Sequence, residues 1–232
     1  MLKRVSILAV VAMLATATVA NAFPPLAEWG FQVVTPADVA NSATNGPHAA
    51  DSGIFAATSG ASGAHASAAT DWTTPTGNGS SDSYSANEWA PGDYWQFCTS
   101  TVGYSGITVQ WDQVSSNTGP RDFELRYNVN GGTYSTFGSP YVVRANSSPS
   151  WSSGSGTGLD TFSVDLSSVT ALDNQSEICI RHVNTTTVSA TGGTVGNTGT
   201  NRVDNVVISG VPEPTTLALM GLGAIGLIRR RR

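Results

Sequence analysis

Three histidines, His48, His65 and His182, are all that the 232 residues offer for imidazole chemistry. A Ser-His-Asp triad or a zinc site needs such a group in defined company. None of the three has a second histidine or a glutamate at metal-binding spacing, so no catalytic residue and no metal ligand is assigned. A nucleophile elbow, a phosphate loop and a dinucleotide fingerprint are all missing. The glycines of Gly154-Ser155-Gly156-Thr157-Gly158 lie among serines with no Lys and no following helix, which is a flexible loop. Arg202 and Asp204 sit two apart on a strand-like run and share a face, as an ion pair or loop anchor would. Calcium has no D-x-D-x-D run to bind. A structural ion held by scattered carbonyls and one Asp would leave no pattern and is left open. No cofactor is expected.

Two further sets of residues could act. Trp72, Trp89 and Trp151 lie among Ser, Thr, Gly and Pro instead of in alternating runs. Exposed indole faces of this kind can meet the apolar side of a sugar ring, and they can equally pin loops to a core. They are carried as candidate sugar contacts. Cys98 and Cys179 are the only cysteines. In an exported chain an even count favours a bridge, here closing a loop of about 80 residues. Two separately buried thiols are the other reading.

The chain ends argue for export. Residues 1–22 run from a basic start (Lys3, Arg4) through an apolar stretch to small residues at Ala20 and Ala22. That order is a secretory signal peptide, with Phe23 as the mature N-terminus. At the other end, residues 217–228 are apolar or glycine throughout and stop at Arg229, Arg230, Arg231 and Arg232. Gly221, Gly223 and Gly226 would each weaken a soluble helix by about 1 kcal/mol. Glycine is more frequent in membrane helices, and terminal arginines fit a cytoplasmic stop. The run is short for a span, but arginines snorkel and a bilayer thins locally. A short transmembrane helix is expected over a core helix.

Ahead of it stand Val211, Pro212, Glu213 and Pro214. Pro-Glu-Pro, a short glycine-bearing apolar helix and an arginine cluster, in that order, resemble the PEP-CTERM sorting signal of Gram-negative bacteria. The resemblance covers residues 211–232. It implies the secretion translocon and signal peptidase as early partners and exosortase as the processing enzyme. It also implies a transient stay in the inner membrane, then release or transfer to the cell surface. Two prolines with φ held near −65° keep such a segment extended and accessible.

Six of the 11 basic residues and one of the 16 acids fall in these end segments. Five arginines against fifteen acids leave the body near −10 and without lysine, which excludes nucleic acid as a partner. The body's apolar residues have period two. Ile107, Val109 and Trp111 share one face, as do Phe123, Leu125, Tyr127 and Val129, then Phe162, Val164 and Leu166, then Ile178 and Ile180. Alternation of this kind marks half-buried strands. Turn-rich pieces separate them, and Asn130-Gly131-Gly132 is a hairpin signal. Residues 26–34 and 54–57 are expected to add early strands, and residues 41–76 are poorly defined. In the closing run, Val203 and Val207 are expected opposite Val206 and Ile208.

The fold expected for residues 23–210 is an all-β antiparallel sandwich or jelly roll. "DYWQFCTS", "ITVQWD", "SSNTGPRDFELRYNVNGG", "TFSVDLSSV" and "NRVDNVVISG" together resemble the secreted jelly-roll domain that often precedes PEP-CTERM tails. Such domains are similar in architecture to galactose-binding-like sandwiches and carbohydrate-binding modules. The reading is a non-enzymatic, exported protein of the cell surface or extracellular matrix. The alternative is a carbohydrate-binding module acting on the producer's exopolysaccharide.

Overall fold

The structure, a computed structural model, describes residues 23–214. The signal peptide, the transmembrane helix and the Arg229–Arg232 stop expected from the sequence lie outside the described residues. The described residues form twelve strands, in chain order β1 (Ala27–Trp29), β2 (Thr44–Ala49), β3 (Gly60–Ala64), β4 (Trp72–Thr73), β5 (Tyr84–Ala86) and β6 (Tyr94–Thr99). They continue as β7 (Tyr104–Ser115), β8 (Asp122–Val129), β9 (Ser135–Val142), β10 (Thr161–Asp165), β11 (Ile178–Asn184) and β12 (Asn201–Pro212). Between named strands all pairing is antiparallel. One sheet runs β10-β7-β12-β5-β4, with β1 also on β12, and the other runs β2-β3-β6-β11-β8-β9. The architecture is the antiparallel sandwich expected.

The alternation decides which face is inside. Ile107, Val109 and Trp111 of β7, Phe123 and Leu125 of β8, and Ile178 and Ile180 of β11 all point into one core. Its largest members are aromatic: Trp29, Trp72, Trp95, Trp111, Tyr84, Phe31, Phe97 and Phe123 are fully buried. The tryptophan N–H groups among them are all met, whereas the buried Tyr84 hydroxyl has no partner among the described residues. Trp95 Nε1 donates to Asn201 Oδ1 at 2.8 Å and Trp111 Nε1 to Gln113 Oε1 at 3.1 Å, while the Tyr141 hydroxyl reaches Gln113 Oε1 at 2.8 Å. Buried donors left unmet would each cost about 1–3 kcal/mol, so this string joins the two sheets through polar atoms without such a penalty. Both edge strands of the second sheet carry a proline, Pro47 in β2 and Pro140 in β9. A residue with no N–H blunts an edge against further pairing.

Four local expectations are corrected. Residues 54–57 form no strand; Ala56–Thr58 is a 3-10 turn, with Phe55 set against Tyr104. Of residues 26–34 only Ala27–Trp29 pair, because the Asp51 carboxylate accepts from the backbone N–H groups of Gly30, Gln32, Val33 and Val34 and bends the chain away. Residues 41–76, poorly defined in the sequence, hold β2, β3 and β4. In β12 a bulge lies between Asp204 and Val207, with Asn205 at φ 48°. The extra residue resets the pleat, so Val203, Val206 and Ile208 are all buried in the core.

Candidate functional site

The expected sorting segment grows directly out of the sandwich. Val211 pairs with Ser105 and Pro212 with Tyr104 at the last rungs of β12 on β7. The Glu213 N–H then donates to the Gly103 carbonyl at 2.9 Å. Pro212 is buried, Glu213 half-buried and Pro214 exposed. Only residues 213–216 separate the strand from Leu217, where the apolar tail begins. Four residues can span at most about 14 Å. The body expected to end at residue 210 thus continues two residues into the motif, and of the segment expected to be accessible Pro212 is instead buried at the last rung of β12.

A second arrangement lies on the outer face of the β2-β3-β6-β11-β8-β9 sheet. The register sets Arg181 of β11 between Gln96 of β6 and Arg126 of β8, with Ser62 beyond Gln96 and Thr136 beyond Arg126. This polar row crosses five strands. Tyr94, two residues before Gln96, shares its face, and Tyr134 reaches over from the loop between β8 and β9. The Arg181 guanidinium carbon sits 3.7 Å from both tyrosine ring centroids, so the cation is clamped face to face between them. Gln96 Oε1 accepts from Arg181 Nε at 2.8 Å and from the Tyr134 hydroxyl at 2.7 Å, which fixes the stack to the sheet. Burial pushes the Tyr134 phenol above its ordinary value, with the neighbouring guanidinium opposing.

Beside the stack opens a cleft of about 430 Å³. Gln96 belongs to both, and Ser62, Glu177, Pro47, Gly60 and Cys98 line the rest. Cys98 and Cys179 face each other across β6 and β11 and are joined, with S–S 2.04 Å, so a covalent cross-strand link stiffens the floor.

The three tryptophans carried as sugar contacts are not on this surface. Trp72, Trp89 and Trp151 are 1%, 5% and 5% exposed, and an indole so enclosed has no face to offer a sugar. Trp72 and Trp89 pack with Trp95 in the core. Trp151 pins the 143–160 loop through Nε1 to Asp160 Oδ2 at 2.8 Å. Trp72 stands in the two-residue strand β4 and Trp89 and Trp151 in buried loop positions, which nothing in a run of Ser, Thr and Gly foretells. Arg202 and Asp204 form loop anchors and no ion pair with each other: Arg202 donates to the Thr76 carbonyl, and Asp204 accepts from Asn78 N–H and Ser80 Oγ.

The histidines are buried or walled in. Burial lowers the imidazoles of His65 and His182 to about 3, so both are neutral. His182 Nδ1 lies 3.0 Å from the Tyr141 hydroxyl, which already donates to Gln113, so that nitrogen carries the proton. His48 sits against Tyr84 and Asn45. Among the described residues no group of three or more His, Cys, Asp or Glu is placed to hold a metal.

The stack was only half legible. Alternation in β6 and β11 places Tyr94, Gln96, Cys98 and Arg181 at wet positions, but which of them meet depends on register and on a loop tyrosine.

Comparison with known proteins bears mainly on the tail. No curated protein matches the chain. Among solved structures, the CBM22-2 xylan-binding domain of Paenibacillus barcinonensis Xyn10C is 13% identical with a TM-score of 0.37, over 61% of this chain and 86% of that one. The K1 cleaved adhesin domain of Lys-gingipain from Porphyromonas gingivalis W83 is 13% identical at 0.38, over 61% and 83%. TmCBM61 in complex with β-1,4-galactotriose is 8% identical at 0.37, over 66% and 88%. Scores this low carry no argument, and the fold stands on the strand pairing itself. Residues 210–232 match the family model of the PEP-CTERM protein-sorting motif, so the chain carries at its C-terminus a signal that implies exosortase processing, export and transient anchoring in a membrane.

Proposed function

We propose that this chain is a non-enzymatic protein of the cell surface or extracellular matrix of a Gram-negative bacterium. It is exported through the translocon, trimmed by signal peptidase after Ala22 and held briefly in the inner membrane by its C-terminal helix. Exosortase then processes it at Pro212-Glu213-Pro214. The observation that carries this reading is the joint at Pro212. β12 of the sandwich runs to Pro212 with no linker before the matched sorting motif, which makes the body and its processing signal one continuous piece. The buried, neutral His65 and His182 support a role in binding over one in acid–base chemistry.

The test separates anchoring from recognition. Each arginine is costly to carry through a bilayer centre, about 2.5–3.5 kcal/mol on insertion scales. Replacing Arg229–Arg232 with Ser should therefore release unprocessed protein, whereas Glu213→Ala should leave a membrane-bound precursor. Intact mass of the surface protein reads both cleavage sites together with any attachment. Normal processing in both variants would overturn the assignment.

A second reading has its own support. The clamped Tyr94–Arg181–Tyr134 group and the polar cleft beside it form a fixed recess of the volume usual for ligand sites, about 300–1,000 Å³. On that ground the body binds polysaccharide, the producer's exopolysaccharide being the available polymer. Retention of the protein on a gel containing that polymer checks it.

A further inference from the structure

We propose that the recess on the outer sheet takes an acidic polysaccharide, with the Arg181 guanidinium receiving the carboxylate of a uronic-acid-type sugar. This rests on the polysaccharide-binding reading and names the class of polymer.

The inference starts from the distribution of cations. The body has five arginines and no lysine. Arg121 is paired with Asp122, Arg126 with Glu124 and Arg144 with Asp160. Arg202 donates to a backbone carbonyl and lies against Trp151. Of Arg181 and Arg126, opposite each other on the outer face, Arg181 is the one next to Gln96 and the cleft, and no carboxylate among the described residues comes within 4 Å of its guanidinium. Its hydrogen bond to Gln96 uses Nε, and Gln96 is neutral.

The clamp defines how a ligand meets it. With a tyrosine ring on each side, the guanidinium plane is covered on both faces and the ligand must come to its edge. The edge is where parallel N–H groups match the two oxygens of a carboxylate. Because the side chain is already immobilised by two rings and Gln96, binding orders little further and loses little entropy. The cleft that shares Gln96 suits the neighbouring sugar. Ser62, Gln96 and Glu177 offer donors and acceptors to hydroxyls, and Pro47, Gly60 and Cys98 give a low apolar floor. Glu177 in that wall accepts hydrogen bonds from sugar hydroxyls and disfavours a second carboxylate in the cleft.

The experiment uses the full chain in non-ionic detergent with three probes: polygalacturonate, its fully methyl-esterified neutral form, and dextran sulfate. At one fixed moderate ionic strength, which screens the repulsion between the polymer and a body near −10, wild type should bind polygalacturonate at least about tenfold more tightly than the ester. Arg181→Gln should abolish that preference, and Arg181→Lys, which keeps charge but loses the fork, should fall between. Tyr134→Ala removes one wall of the clamp from a loop, so it tests the site without disturbing the sheet, and it should also weaken binding about tenfold. Equal binding of acid and ester by wild type would overturn the proposal and leave the polysaccharide reading standing. No binding of any probe or of the producer's own polymer would overturn both. Dextran sulfate held as tightly as polygalacturonate through Arg181 would make this a general anion site and overturn the carboxylate assignment.

Discussion

Two buried imidazoles and one buried carboxylate carry large, opposed shifts, and the smaller burial shifts of His48 (lowered) and Asp93 (raised) also oppose each other. His65 and His182 fall to about 3 through burial. Asp204 rises to about 7, chiefly by desolvation, although Ser80, Asn78 and Asn205 all donate to it. Between pH 4 and 6 the unfolded chain holds two protons on these histidines and none on Asp204. The folded protein holds one on Asp204 and none on the histidines. Unfolding then takes up about one proton, so stability rises with pH by about 1.4 kcal/mol per unit. The histidine contribution is full above pH 6.5 and lost toward 3, while the Asp204 contribution is full below pH 4 and lost by 7. Urea midpoints across this window check the slope, and a flat or inverted profile would contradict it. Asp204→Asn should steepen it toward two protons. Gly63 shows a steric limit of the same scale. A Cβ there would run into the Trp72 ring, so Gly63→Ala should cost about 1–3 kcal/mol by overpacking, read as a lowered urea midpoint.

At the scale of elements, the bridge and the bulge do different work. The Cys98–Cys179 bond joins neighbouring strands that are 81 residues apart in sequence. Changing both to Ser should lower stability by about 2–5 kcal/mol, mostly through a freer unfolded chain. Alkylation of the denatured, unreduced protein should find no thiol. The Asn205 bulge is held by its own side chain, which donates to Asp112 Oδ2 at 2.8 Å and to the Asn78 carbonyl. Asn205→Ala loses both bonds in a backbone conformation that alanine disfavours, at a cost of about 2 kcal/mol. These elements also mark what was legible. Strands β7, β8, β10 and β11 were written in period-two alternation, and the β8–β9 turn in Asn130 and Gly131, both at positive φ. The bulge was invisible because a single inserted residue looks like ordinary sequence and yet reverses every side chain beyond it. Strands β2 and β3 were hidden because Gly, Ala and Ser carry no pattern. The tryptophans misled because polar neighbours describe the loop and not what the loop covers, and the outer-face stack needed a register that no single strand contains.

Over the whole molecule, the joint between sandwich and sorting motif governs both stability and presentation. A body ending at Glu213 keeps the Val211–Ser105 and Pro212–Tyr104 pairings and the bond to Gly103, whereas one ending at Ser209 loses all three. The shorter body should be less stable by about 1–3 kcal/mol in urea titration. The same joint has a mechanical meaning. β1 lies antiparallel beside β12, with Ala27 opposite Ile208, so both ends of the described chain leave the sandwich at one end. A pull applied to those two ends would part strands one rung at a time, like a zipper. A body tethered through Pro212 and tugged by a polymer on its other sheet carries the load along the axis of β12. The rungs to β7 on one flank, and to β5 and β1 on the other, then share that load in shear. Under force the rate of unfolding decides survival, so a load along β12, shared by rungs on both flanks, would be resisted longer than one that parts β1 from β12 rung by rung.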